Sequence, residues 1–201
     1  NTMFKLVRKL FGFAILLFLV AVIFLVPSSV NQREQLKNIE GSASWTSIIE
    51  PALSNANVTA QGISTEVSLN TAQVNQLLKT SLSGDQNKEL LEGVYSINGD
   101  KLRVQYPVKL AFVDSKVDLE LGVVFINNAL HFDITSAKLG KFPIPKSLVT
   151  AILKQHLAAN NNSIAIEGDR FIFSLPQSQF SIDKVSLQDN HVKIQFSVGL
   201  F

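Results

Sequence analysis

From Leu10 to Val26 the chain runs through seventeen residues without a polar side chain, LFGFAILLFLVAVIFLV. As a helix this run rises about 26 Å, a little short of a hydrocarbon core of roughly 30 Å. Phe4, Leu6 and Val7 extend the apolar surface, and Lys5, Arg8 and Lys9 can snorkel to the headgroups. The next cation is Arg33. This asymmetry predicts a single-pass anchor with its N-terminus in the cytoplasm and everything after Pro27 outside the cell membrane. A cleaved signal peptide is the rival reading, but its apolar core usually has about 7–15 residues followed by a small-x-small site. Here the run is longer, and Val26-Pro27 ahead of Ser28-Ser29 is a poor cleavage context. The absence of Cys excludes a lipidated cysteine.

The expected organisation is a cytoplasmic basic flank over residues 1–9, a transmembrane helix over 10–27, a spacer over 28–57 and an extracytoplasmic domain over 58–201. Past Pro27 the chain carries 15 Lys+Arg against 16 Asp+Glu. The sequence pI of about 8.8 is therefore a property of the membrane flank. It gives no sign of a nucleic-acid partner. With no disulfide available, the core alone must hold the exported domain. Fourteen Phe against one Trp and two Tyr weight the aromatic set toward purely apolar surface.

In the spacer, Trp45, Ile48, Ile49 and Leu53 have helix-like spacing and suit docking on the domain or, as the alternative, resting at the membrane surface. Ile63, Thr65, Val67 and Leu69 then alternate as a strand. Asn70 with Gln73 caps a helix expected over Thr71–Leu82, its stripe formed by Val74, Leu77, Leu78 and Leu82. A short strand near Val94–Ile97 leads to an Asn98-Gly99 turn. Three long alternating strands follow: Leu102 to Phe112, Val117 to Phe125 after an Asp114-Ser115-Lys116 turn, and Leu130 to Ile134 after Asn127-Asn128. Alternation of this kind predicts antiparallel strands with one apolar and one wet face. Pro107, on the wet face, suggests an edge or a bulge. A second helix is expected over Pro145–Leu157, with Leu148, Val149, Ile152, Leu153 and Leu157 on its stripe. After an expected polar loop at Asn160-Asn161-Asn162, strands resume through Ile164–Ile166, Phe171–Leu175, Val185–Leu187 and, past an Asp189-Asn190 turn, Val192–Val198. The pattern is α+β, with eight or nine strands and two main helices.

Four features in this order resemble the YpmS-like family of single-pass membrane proteins of Gram-positive bacteria. They are the N-terminal anchor, VSLNTAQVNQLLKTSL, the hairpin VQYPVKLAFVDSKVDLELGVVF, and SAKLGKFPIPKSLVTAIL with its Gly-x-apolar-Pro-x-Pro entry into a helix. Where the family carries a Pro- and aromatic-containing segment after the second helix, this chain has LAANNNSIAI. The resemblance implies the architecture of the tubular lipid-binding domains: a long, curved antiparallel β-sheet wrapping two amphipathic helices around an apolar groove.

The residue chemistry points away from an enzyme. His131, His156 and His191 lie far apart, none at a metal-ligand spacing, so no metal or other cofactor is expected. No nucleophile elbow, P-loop or dinucleotide fingerprint occurs. Asp114, Asp118, Glu120 and Asp133 would have to form any carboxylate pair, but Asp118 and Glu120 alternate with apolar residues as wet-face positions do. Asn57-Val58-Thr59 and Asn161-Asn162-Ser163 match the glycosylation sequon, which a bacterial source would leave idle. What remains is apolar surface. A groove lined by Phe112, Phe125, Phe132, Leu148, Ile152, Phe171, Phe173 and Phe196 would accept acyl chains. At about 0.8 kcal/mol per CH₂, roughly ten buried carbons reach micromolar affinity. The expected function is binding or transfer of a lipid or other apolar envelope molecule beside the bilayer. The alternative is a non-enzymatic scaffold subunit that tethers a partner protein or envelope assembly.

Overall fold

A computed structural model of the chain describes residues 9, 11–20, 27–59, 62–82, 90–110, 113–157, 164–174 and 181–199. Within the Leu10–Val26 run, residues 11–20 are helical (α1). Among the described residues no helix is long and apolar enough to cross a membrane. The rest is α+β, with antiparallel strands in two sheets.

The first sheet joins strands from the two halves of the chain: β1 (Asn57–Thr59), β2 (Gly62–Asn70), β11 (His191–Gly199) and β10 (Ser181–Gln188), in that spatial order. Thr65, Val67 and Leu69 of β2 face inward opposite Phe196, Ile194 and Val192 of β11. Two helices cover this face. Helix α2 (Trp45–Ser54) starts at a capping box between Ser44 and Ser47, and α3 (Thr71–Ser81) at one between Asn70 and Gln73. Ile48, Ile49 and Ala52 of α2 and Val74 and Leu77 of α3 close the core over Val67, Leu69, Ile194 and Phe196. The Thr65 hydroxyl donates to the Ala52 carbonyl at 2.9 Å, so this buried polar group on the inner strand face is satisfied by the helix above it.

The second sheet runs β3 (Val94–Asn98), β4 (Lys101–Leu110), β5 (Val113–Ile126), β6 (Ala129–Leu139), β9 (Arg170–Ser174) and β8 (Ile164–Glu167). A short β7 (Phe142–Pro143) also pairs with β6. Helix α4 (Lys146–Leu157) places Val149 over Leu119, Ile134, Ala137 and Phe171. Thr150 anchors the helix further, donating to Asp169 Oδ1 at 3.1 Å in the β8–β9 turn.

Helix α3 ties the two sheets together. Its face toward the first sheet is apolar, but Thr71 and Asn75 point to the free edge of β3. The Ile97 amide donates to Thr71 Oγ1 at 3.2 Å, and Asn75 Nδ2 donates to the Tyr95 carbonyl at 3.0 Å. An exposed strand edge is a template for unwanted pairing, and these side chains occupy it. At the hairpin tips, Gly99 N–H donates to Asn190 Oδ1 at 2.6 Å and Asn190 N–H to the Gly99 carbonyl at 3.1 Å. Strand β10 also lies against β5.

Several expectations are corrected here. Instead of one long sheet wrapping two helices there are two sheets, and three helices pack on them. Asp114, Ser115 and Lys116 belong to β5 and pair with Lys109, Val108 and Pro107. These turn-forming residue types yield because the strand pairing runs through them and buries Ser115. The turn expected at Asn98-Gly99 sits one residue later, since Asn98 pairs with Lys101. The Asn127-Asn128 and Asp189-Asn190 turns are as expected, all four residues having φ between 52° and 61°. Pro107 lies beyond Gln105, the last β4 residue paired with β3, where a missing N–H costs no ladder bond on that side.

Residues 28–57, read as a spacer, are packed structure. Val30, Gln35 and Leu36 are buried. Leu36 N–H donates to the Gly93 carbonyl at 2.9 Å, and Lys37 pairs with Glu92 at 2.7 Å. Ser28 N–H donates to the Asp114 carbonyl at 3.2 Å. Ile48 and Ile49 dock as expected, whereas Trp45 is 48% exposed.

Candidate functional site

The inward face of the second sheet holds most of the residues expected to line a groove. Phe132 and Phe171 are cross-strand partners, and Phe125 and Phe173 flank Leu130 from opposite sides. Alternation puts all five on the face that α4 covers. Coverage along that face is uneven. Leu119, Ile134, Ala137 and Phe171 are buried around Val149, with Phe132 packed against them. Val123, Phe125, Leu130 and Phe173, farther along, are only half-buried and do not join that cluster. Dimensions explain this. Helix α4, with 12 residues, is about 18 Å long. Strand β5, with 14 residues, runs about 46 Å, in a sheet about 24 Å across. One helix cannot cover that area. Leu148, on the stripe of α4, is 49% exposed.

Not every expected residue converges. Phe196 belongs to the other core, with Leu69 and Ile194, because β11 pairs with β2 rather than with the long hairpin. Phe112 lies outside the described residues, as do the Asn160–Asn162 loop and Leu175. Ile152 is in α4, and its side chain is outside them too. Val123 and Leu130 were legible as strand positions, but only the register with β6 and β9 sets them beside Phe125 and Phe173.

The opposite face carries ion pairs rather than a catalytic carboxylate pair. Arg103 grips Asp118 through both oxygens, at 3.0 and 2.6 Å, and Gln105 adds a bond at 3.0 Å. Burial pushes the Asp118 pKa up, but the bonds from Arg103 and Gln105 and the charges of Arg103 and Lys116 outweigh it, holding the carboxyl below its usual value. Arg170 grips Asp133 the same way across β9 and β6, at 2.7 and 3.0 Å, and that bonding lowers the Asp133 pKa. Both carboxylates are thus held ionised and occupied, the reverse of what an acid–base role needs. Among the described residues no group of His, Asp and Glu could hold a metal ion. His191 Nδ1 lies 2.7 Å from the Asp189 carbonyl in its own turn. Two clefts of about 490 and 520 Å³ lie along residues 28–40, and none of Val123, Phe125, Leu130 and Phe173 lines either.

No family model, curated protein or solved structure matches this chain.

Proposed function

We propose that this chain is a membrane-anchored extracytoplasmic domain, non-enzymatic, that holds or passes on a lipid or other apolar envelope molecule on the α4 face of its second sheet. One observation carries the reading: Val123, Phe125, Leu130 and Phe173 form a continuous half-buried apolar patch that α4 is too short to cover. Burying about ten methylenes there supplies micromolar affinity. The anchor reading rests on the Leu10–Val26 run and its basic flank. The likeness of SAKLGKFPIPKSLVTAIL to the YpmS-like family, and of that family to the tubular lipid-binding domains, supports the same assignment.

The test is native mass spectrometry of the full chain released from bacterial membranes in detergent, wild type beside Phe125→Asp and Phe173→Asp. A lipid that co-purifies reproducibly with wild type and is lost from both variants supports carriage. A stoichiometric protein without lipid gives the face to a scaffold role instead.

A further inference from the structure

The end of the second sheet near residue 114 gathers charge that the rest of the domain lacks. Lys109, Lys138, Lys141 and Lys146 are exposed there and Lys116 is partly so. The carboxylate facing them is Asp114, 4.0 Å from Lys109 with both side chains exposed. Asp118, also near, is neutralised by Arg103, and Glu92, in the cleft that Lys109 and Asp114 line, by Lys37. Five cations against one free carboxylate leave +4. The other described residues after Pro27 carry nine Lys+Arg (14 less 5) against thirteen Asp+Glu (14 less 1), or −4. Positive charge among the described residues is therefore concentrated at this end.

Large apolar side chains stand among these lysines. The inner-face row Tyr106, Val117, Leu139 and Phe142 crosses four strands at this end. Its last member, Phe142, is 47% exposed, and Leu148 of α4 is similarly open. The Gly140 N–H bond to the Lys116 carbonyl, at 2.7 Å, fixes the β6–β7 turn beside β5. The chain also enters here: Ser28 is bonded to the carbonyl of Asp114, and Val26, the last residue of the apolar run, is two residues earlier. Two residues reach at most about 7 Å.

We infer that this lysine-rimmed end, with Phe142 and Leu148 exposed among the cations, rests on the surface of an anionic bilayer. Lysines near such a surface are drawn to it, and an aromatic and a leucine can enter the headgroup boundary. The inference builds on the anchor reading, which supplies the tether. Without a free spacer, the tether allows only this end of the sheet to face the membrane.

The absence of Cys allows single-site labelling of the full chain. An environment-sensitive dye on Phe142→Cys is compared with one on Val124→Cys, seven residues along β5 from Val117, in whose cross-strand row Phe142 lies, and so about 23 Å farther along the sheet. Each is reconstituted in phosphatidylcholine vesicles, with and without phosphatidylglycerol, containing lipids spin-labelled near the headgroup. Severalfold stronger quenching at 142 than at 124, greater with phosphatidylglycerol and reduced by Lys138→Gln/Lys141→Gln/Lys146→Gln, is the expected result. Equal, weak quenching at both sites overturns the inference and leaves the patch to an acidic protein. An alkaline wash, in a parallel sample, separates the two readings. A chain that resists extraction while 142 stays unquenched keeps its anchor and loses the docking. A chain stripped by alkali that still shows phosphatidylglycerol-dependent quenching at 142 keeps the docking and loses the anchor.

Discussion

Four strands under two helices make the first sheet, and seven strands under one helix make the second. Their inward residues are alike: Val67, Leu69, Ile194 and Phe196 in one, Val123, Phe125, Leu130 and Phe173 in the other. The first set is buried, Leu69 to 2% exposure, whereas the second is only partly buried. Burial follows from the helical area available per strand, not from strand hydrophobicity. The first sheet reads as a structural clamp, since β11 pairs with all nine residues of β2 and joins distant parts of the chain. The second has apolar surface in excess of what its helix can use.

Mutating the two faces tests that contrast most directly, beginning with the closed one. Phe196→Ala should destabilise by about 3–5 kcal/mol, because a buried ring leaves a cavity that the surrounding strands and helices fill poorly. Denaturant melts of the detergent-solubilised chain measure it. A loss under about 1 kcal/mol would show that the first sheet is no better packed than the second.

Charge on the second sheet comes next. Asp118→Asn should cost about 2 kcal/mol, less than for a fully buried pair, since the Arg103 side chain is 40% exposed. Asp118 and Asp133 both titrate below the ordinary carboxylate value of 3.8 in the folded state. A depressed pKa gives stability that is complete above the unfolded value and is lost as pH falls through the folded one. Melts between neutral and acid pH should thus show stability dropping in the acid range, and less steeply in Asp118→Asn. An unchanged acid profile in that variant would remove Asp118 from the account.

The junction between the regions is expected to matter less. Asn75→Leu leaves the Tyr95 carbonyl without its bond from Asn75 Nδ2 and should cost about 1–2 kcal/mol. Hydrogen exchange should show β3 loosening while β2 keeps its protection. Equal loosening of both would mean that α3 couples the sheets more tightly than its contacts suggest.

The smallest effect is expected on the open face. Phe173→Ala in the lipid-free chain should cost about 1 kcal/mol, less than Phe196→Ala, since Phe173 is only partly buried and lies outside the cluster packed under α4. The same change should weaken acyl-chain binding. A stability loss matching that of Phe196→Ala, with no effect of a long-chain phospholipid on either melt, would erase the difference between the sheets and with it the groove.

Local sequence pattern alone determined the strands of the long meander, the capping box at Asn70 and the two-residue turns at Asn127 and Asp189. Each of these depends on neighbours a few residues apart. The apolar run and its basic flank are equally local. Tertiary structure decided which face belongs to which sheet. Alternation in β11 shows that Phe196 points inward, but not that the strand pairs with β2, where its partner Thr65 lies 131 residues earlier. The grips of Arg103 on Asp118 and Arg170 on Asp133 also needed register, because their partners come from different strands. Within the 28–57 segment expected as a spacer, few of residues 28–44 are apolar, and their attachment comes through backbone bonds such as Leu36 to Gly93, which leave no mark in side-chain pattern. The openness of the candidate site was likewise invisible, because it is a ratio between the length of α4 and the area of a sheet that exists only once distant strands have paired.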